Sequence, residues 1–156
     1  MLRRLVWLSF AVALAATAQK NEGPRPPKPD LPYLKHADNL IPTEAVTAKE
    51  EKKKEDSTYV IDGASSNART PLASPIFLMQ AGSVAPDRLQ LFKLEVKSGN
   101  RQLFFPAKKP PQAIRIVVTR LSPDGLWKIE VSDSLEPGEY SLSPDGSNQA
   151  FCFQVF

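Results

Sequence analysis

The sequence predicts an all-β protein, an antiparallel sandwich or barrel, and three observations carry that expectation. From Tyr59 to the end, apolar and polar residues alternate with a period of two. Turn signals built on Gly, Pro, Asp and Ser recur between the alternating runs. No apolar stripe of helical period interrupts them.

Each run has its own warrant. Tyr59-Val60-Ile61 reads as a short strand closed by Asp62-Gly63. Ile76-Phe77-Leu78-Met79 is continuously apolar between Pro75 and Gly82, as a strand buried on both faces must be. Phe92, Leu94 and Val96 alternate with Lys93, Glu95 and Lys97, which predicts a half-buried strand. Ser98-Gly99-Asn100 turns the chain into Gln102–Phe105, which Pro106 and Pro110-Pro111 end. Ile114, Ile116 and Val118 form the next apolar face. Trp127, Ile129 and Val131 form another, which predicts Trp127 in the core. Tyr140 and Leu142 follow Pro137-Gly138, and a last strand runs from Ala150 to Phe156.

The first residues have a different character. Arg3 and Arg4 precede an apolar run from Leu5 to Ala16, and Ala16-Thr17-Ala18 follows as a small-x-small site. That order predicts a secretory signal peptide over residues 1–18, cut between Ala18 and Gln19. The run falls short of the ~20 residues a membrane-spanning helix needs. The expected location is therefore the periplasm or the extracellular space, with no membrane span after cleavage.

Charge reads differently once the signal is removed. The whole chain has 20 Lys+Arg against 17 Asp+Glu, and loss of Arg3 and Arg4 leaves 18 against 17. A near-neutral mature chain gives no support to nucleic-acid binding, which needs a concentrated basic patch. With one cysteine, Cys152, an internal disulfide is impossible, so the domain must hold together through its apolar core.

Residues 19–57 are expected to form a Pro-rich spacer and a short charged helix ahead of a β-domain over 58–156. Pro24, Pro26, Pro27, Pro29 and Pro32 favour extended backbone and remove donors, giving a semi-rigid spacer or a PxxP ligand. Leu34–Pro42 carries no decisive signal. Thr43 can cap a helix containing Ala45, Ala48 and the Lys49–Asp56 run of mixed charge, with Glu50 and Lys54 four apart in the favourable order. That charge run is expected to be a solvated face.

Two turn motifs bear on the fold. Leu121-Ser122-Pro123-Asp124-Gly125 returns as Leu142-Ser143-Pro144-Asp145-Gly146, and both read as hairpin turns. One carboxylate per copy is too few oxygen ligands for calcium. Leu135-Glu136-Pro137-Gly138-Glu139-Tyr140 resembles the corner of immunoglobulin-like and fibronectin-like sandwiches, where a tyrosine hydroxyl bonds back to the main chain. Leu34–Pro75, together with the ending from Pro137 through Phe151-Cys152-Phe153, is similar to a group of uncharacterised exported proteins of environmental bacteria. That resemblance implies a β-sandwich and no particular activity.

The chemistry-bearing residues are sparse. The single histidine, His36, has no G-x-S-x-G elbow to serve, and one His with one distant Cys makes no zinc site. No phosphate-binding glycine loop occurs. No catalytic residue, metal ligand or cofactor is therefore expected. Cys152, between Phe151 and Phe153, is expected to be a buried small hydrophobe and not an intermolecular disulfide. Phe104 and Phe105 point to opposite faces of one strand, so one ring is expected outward as a partner contact. Lys108 and Lys109, with Arg101 and Arg115, are weighed as a basic rim against a solvated loop.

The function expected on these grounds is an exported non-enzymatic module that binds a protein or cell-envelope component. The alternative is a sandwich that binds a small molecule, carbohydrate or lipid, or a hydrolase with unrecognised carboxylates.

Overall fold

A computed structural model describes residues 23–156, so the expected signal peptide, with Ala18 and Gln19, lies outside the described residues. In chain order the strands are β1 (Tyr33–His36), β2 (Asn39–Pro42), β3 (Glu44–Thr47), β4 (Lys49–Lys53), β5 (Asp56–Ile61), β6 (Arg69–Thr70) and β7 (Ile76–Gln80). A short 3-10 turn at Pro86–Arg88 follows. The chain continues with β8 (Leu89–Lys97), β9 (Asn100–Phe105), β10 (Ile116–Arg120), β11 (Leu126–Val131), β12 (Gly138–Pro144) and β13 (Gln149–Val155). The all-β expectation holds.

Two sheets result. The smaller has five strands in the order β10-β11-β7-β1-β2. The larger runs β3-β13-β12-β8-β9-β5-β4, with β6 added parallel to the end of β13. Along that path all six pairings are antiparallel, so β3 and β4, at its two ends, point the same way. They are also consecutive in the chain, separated only by Ala48. The larger sheet therefore rolls back on itself, with β3 and β4 forming one bent strand and Ala48 as the seam. The Ala48 amide holds the bend by donating to the Asn148 carbonyl at 2.8 Å.

Rolling gives β8, β12 and β13 two buried faces. Leu89 and Leu91, Tyr140 and Leu142, and Phe151, Phe153 and Val155 face the small sheet, where they meet Leu34, Phe77, Met79, Ile129 and Val131. The alternate residues Leu94, Ala150 and Cys152 face the inside of the roll, where they meet Ala48 and Ile61. Phe153 sits between layers, edge-on to Phe77 at 5.0 Å and stacked on Tyr140 at 5.6 Å.

Tyr140 makes the corner bond the sequence motif predicts: its hydroxyl donates to the Glu136 carbonyl at 2.7 Å while its ring is buried. Tyr140→Phe keeps the packing and removes that bond. The expected loss of stability is about 1 kcal/mol, read from urea unfolding.

The segment 19–57 differs most from expectation. Residues 44–53 form β3 and β4, not a helix from Thr43. The Thr43 hydroxyl and amide both donate to the Pro32 carbonyl, at 2.7 and 3.1 Å, instead of capping a turn. Glu44 and Val46 are half-buried while Ala45 and Thr47 are exposed, a period of two hidden among good helix formers. Pairing of Glu44–Thr47 with Gln149–Cys152 overrides their local propensity. In β4 all five residues are exposed, so the mixed charge run is a solvated face as expected. Its lysines and glutamates also blunt an open strand edge against pairing with other chains.

Nor does the proline stretch stand away from the domain. Asp30 accepts backbone N–H groups of Gly82, Ser83 and Val84 at 2.7, 2.9 and 2.9 Å, and its own amide donates to the Gln80 carbonyl. Burial works to raise the Asp30 carboxyl, but those three donors bring it below its ordinary value. Pro26 and Pro32 are buried, and Arg25 pairs with Asp124 at 2.5 Å. Leu34–Pro42 is the β1–β2 hairpin, turned by Ala37 at φ 51°.

The first Ser-Pro-Asp-Gly motif forms the turn between β10 and β11 as expected, whereas in the second Ser143 and Pro144 end β12 and the turn to β13 begins at Pro144, whose carbonyl accepts the Ser147 amide at 3.2 Å. Gly125 and Gly146 take φ of 92° and 70°, conformations that other residues adopt with strain. Trp127 departs from expectation: it is only half-buried, with the Arg120 guanidinium 5.9 Å from its ring.

Candidate functional site in the rolled sheet

The inside of the roll is filled at one end and open at the other. At the filled end Arg101, from β9, is 1% exposed. Its guanidinium donates to both Glu44 carboxylate oxygens at 2.7 and 3.0 Å, and to the carbonyls of Gly63 and Asp62 at 2.9 Å each. Arg101 therefore does not join Lys108, Lys109 and Arg115 in a basic rim; those three are exposed. Glu139, on β12, is 3% exposed and accepts the Ser66 amide at 3.0 Å through Oε2, while Oε1 has no hydrogen-bond partner among the described residues. The Ser66 hydroxyl donates to the Cys152 carbonyl at 3.2 Å. Together these groups tie the 62–68 loop across the base of the roll.

Burial and charge set the ionisation of this plug. The Arg101 guanidinium holds the Glu44 carboxyl below its ordinary value, with the Ser66 hydroxyl helping against burial. Glu139 goes the other way: burial raises it, only partly offset by the Ser66 amide and by Arg101. Burial pushes the Cys152 thiol up to about 12, so it stays a neutral, fully enclosed thiol.

The two carboxylates have opposite pH consequences. Glu44, lowered on folding, adds stability that is present above the ordinary value of 4.5 and is lost as pH falls through its folded value. Glu139, raised on folding, favours the folded state at low pH, and that contribution is lost as pH rises from 4.5 through its folded value. Glu139→Gln should therefore flatten the decline in stability above pH 4.5 without altering the acid limb. Urea midpoints at a series of pH values check this, and parallel curves for the two proteins would contradict it.

The open end holds a cavity of about 390 Å³. Its walls come from Ile61 of β5, Phe92 and Leu94 of β8, Leu103 of β9 and Ala150 of β13. Polar groups converge from Gln90, Ser141 and Ser143, and the β12–β13 turn, Asp145 to Asn148, forms the rim. Two aromatic pairs line it edge to face, Tyr59 with Phe105 at 6.1 Å and Phe92 with Phe105 at 6.0 Å. An apolar concavity with a few placed polar groups is the usual form of a small-molecule site.

The aromatic pair singled out in the sequence divides as the strand period requires. Phe105 turns into the cavity, whereas Phe104 is 53% exposed on the outer face beside Lys53 and Lys54. Lys108 and Lys109 lie in the loop beyond β9 and join neither surface. His36 is remote from the cavity lining and bonds Thr70 at 2.8 Å. Among the described residues no cluster of His, Cys, Asp and Glu could hold a metal, and no helix is long and apolar enough to cross a membrane. Sequence reasoning missed the cavity because its lining is contributed by strands far apart in the chain. The one local signal was the second apolar face of β13, Ala150 and Cys152.

No family model, curated protein or solved structure matches the chain.

Proposed function

We propose that the protein is an exported, non-enzymatic binding module that takes a small, largely apolar molecule into the mouth of the rolled sheet. The observation that carries this reading is the 390 Å³ cavity, within the ~300–1,000 Å³ typical of ligand pockets. A binding role fits the chemistry of the lining better than catalysis. Ser141 and Ser143 face only each other, at 3.4 Å between hydroxyls, and no histidine lines the cavity to activate either. Export rests on the order Arg3-Arg4, apolar run, Ala16-Thr17-Ala18. The Tyr140 corner bond supports an architecture akin to immunoglobulin- and fibronectin-type sandwiches, with the rolling of the larger sheet as this chain's departure from them.

A second reading is docking of an envelope protein, and one observation favours it. Phe104 offers an exposed ring bordered by Lys53, Lys54 and Asp56, an apolar anchor with a charged rim of mixed sign.

A thermal-shift screen of small amphipathic molecules tests the pocket reading. A ligand at one hundred times its Kd stabilises the folded state by about 2.7 kcal/mol, enough for a clear rise in melting temperature. Gln90→Trp, at a half-buried lining position on the inner face of β8, should abolish that rise. Shifts that persist in the blocked variant, or none in the unaltered protein, would contradict the reading.

A further inference from the structure

We infer that the mouth of the rolled sheet selects organic cations, an amine or quaternary ammonium group carried on an apolar body. The inference rests on the cavity being a ligand site and adds the charge of the ligand.

Three features of the lining point to a cation. Among the described residues, the charged groups that line the cavity are Glu50 and Asp145, both acidic, with no Lys, Arg or His beside them. An anion would meet two carboxylates and no counter-charge. A wholly apolar guest would strip water from those carboxylates and give nothing back. Next, the three aromatic rings meet at right angles, Phe105 at 87° to Tyr59 and 77° to Phe92. A cation is attracted to the face of an aromatic ring, and perpendicular rings offer a face to more than one direction of entry.

Glu50 supplies the third feature. Its side chain is 28% exposed, and Oε1 accepts the Ser57 hydroxyl at 2.8 Å, which orients the carboxylate beside Tyr59. Lys52 approaches the same oxygen at 3.8 Å, but its side chain is 70% exposed, and a solvated pair this long neutralises little. The field of Glu50 reaches the cavity wall: after burial, that carboxylate is what raises the Tyr59 phenol above its ordinary value.

Three probes with one body and different head groups test the charge. 4-Phenylbutylamine, 4-phenylbutanol and 4-phenylbutyrate are titrated into the mature protein at pH 7 by calorimetry. The amine is expected to bind about tenfold more tightly than the alcohol, the scale of a partly desolvated cation–π contact. The carboxylate is expected to show no binding. Glu50→Gln, which removes one of the two carboxylates and leaves the rings in place, should lower the amine-to-alcohol ratio several-fold. Equal or tighter binding of the alcohol, or any preference for the carboxylate, would overturn the cation inference and leave the pocket reading standing. Binding of the amine that survives Gln90→Trp would place it elsewhere and overturn the inference, as would failure of all three probes, which also removes support for the pocket.

Discussion

Replacing Arg101 with alanine is expected to cost about 3 kcal/mol of folding stability, seen as a lower urea midpoint. The side chain is 1% exposed and makes four hydrogen bonds, two to the Glu44 carboxylate and two to main-chain carbonyls of the 62–63 turn. Alanine leaves all of these acceptors without their donor inside the roll. Removing one partner of a buried ion pair typically costs ~3–5 kcal/mol. The lower end applies because the Glu44 side chain is 25% exposed and regains some water. The cause can be separated from loss of bulk by pairing Arg101→Met with Glu44→Gln. That double variant should lose less than the sum of its two single changes, because neither an unpaired charge nor its penalty remains. Strict additivity would show that the pair is not what holds the base of the roll.

Phe153→Ala is expected to be at least as damaging, at about 4 kcal/mol, within the usual range for truncating a buried aromatic. Phe153 is fully buried and contacts rings from both layers, Phe77 of the five-stranded sheet and Tyr140 of the rolled one. The void would open where the sheets meet, and neither sheet can collapse into it without shifting its strands. Phe104→Ala is the control: more than half exposed, it should change stability by no more than ~0.5 kcal/mol. Comparable losses from the two substitutions would mean that the core is not the sandwich interface described above.

These residues show how far the sequence could be read. Phe77 was legible as core because it lies in a continuously apolar run bounded by turn residues, and Tyr140 was legible through its corner motif, whereas for the last strand only Cys152 was expected to be buried and Phe153 proved to be so as well. Arg101 was not. An arginine next to a hairpin turn reads as solvent-facing, and only the meeting of β9 with β3, 57 positions apart, makes it a buried partner of Glu44. The helix expected from Thr43 fails for a related reason. Ala45, Ala48 and the Glu/Lys run favour helix locally, but β13 and β5 offer ladders on either side of Ala48, and the chain takes both. Prolines 24 to 32 suggested an extended spacer, but the chain bends at Pro27-Lys28, bridges Gln80 at Pro29 and turns at Asp30 with φ 59°, and its docking was hidden because the Asp30 interactions depend on the distant 82–84 loop. The candidate site was the least legible part, since a pocket made by rolling a sheet has no contiguous motif.

If the rolled sheet presents a ligand pocket at its open end, the methyl groups that line it must respond to a guest. Methyl-detected NMR of residues 19–156, recorded against a fragment library that includes amines and neutral analogues, provides that test. Shifts are expected to concentrate at Ala48, Ile61, Leu94, Leu103 and Ala150, with the methyls of Leu34, Ile129 and Val155 in the sandwich core unmoved. Fragments that bind only on the outer face around Phe104, or that leave the five lining methyls unshifted, would contradict the pocket reading.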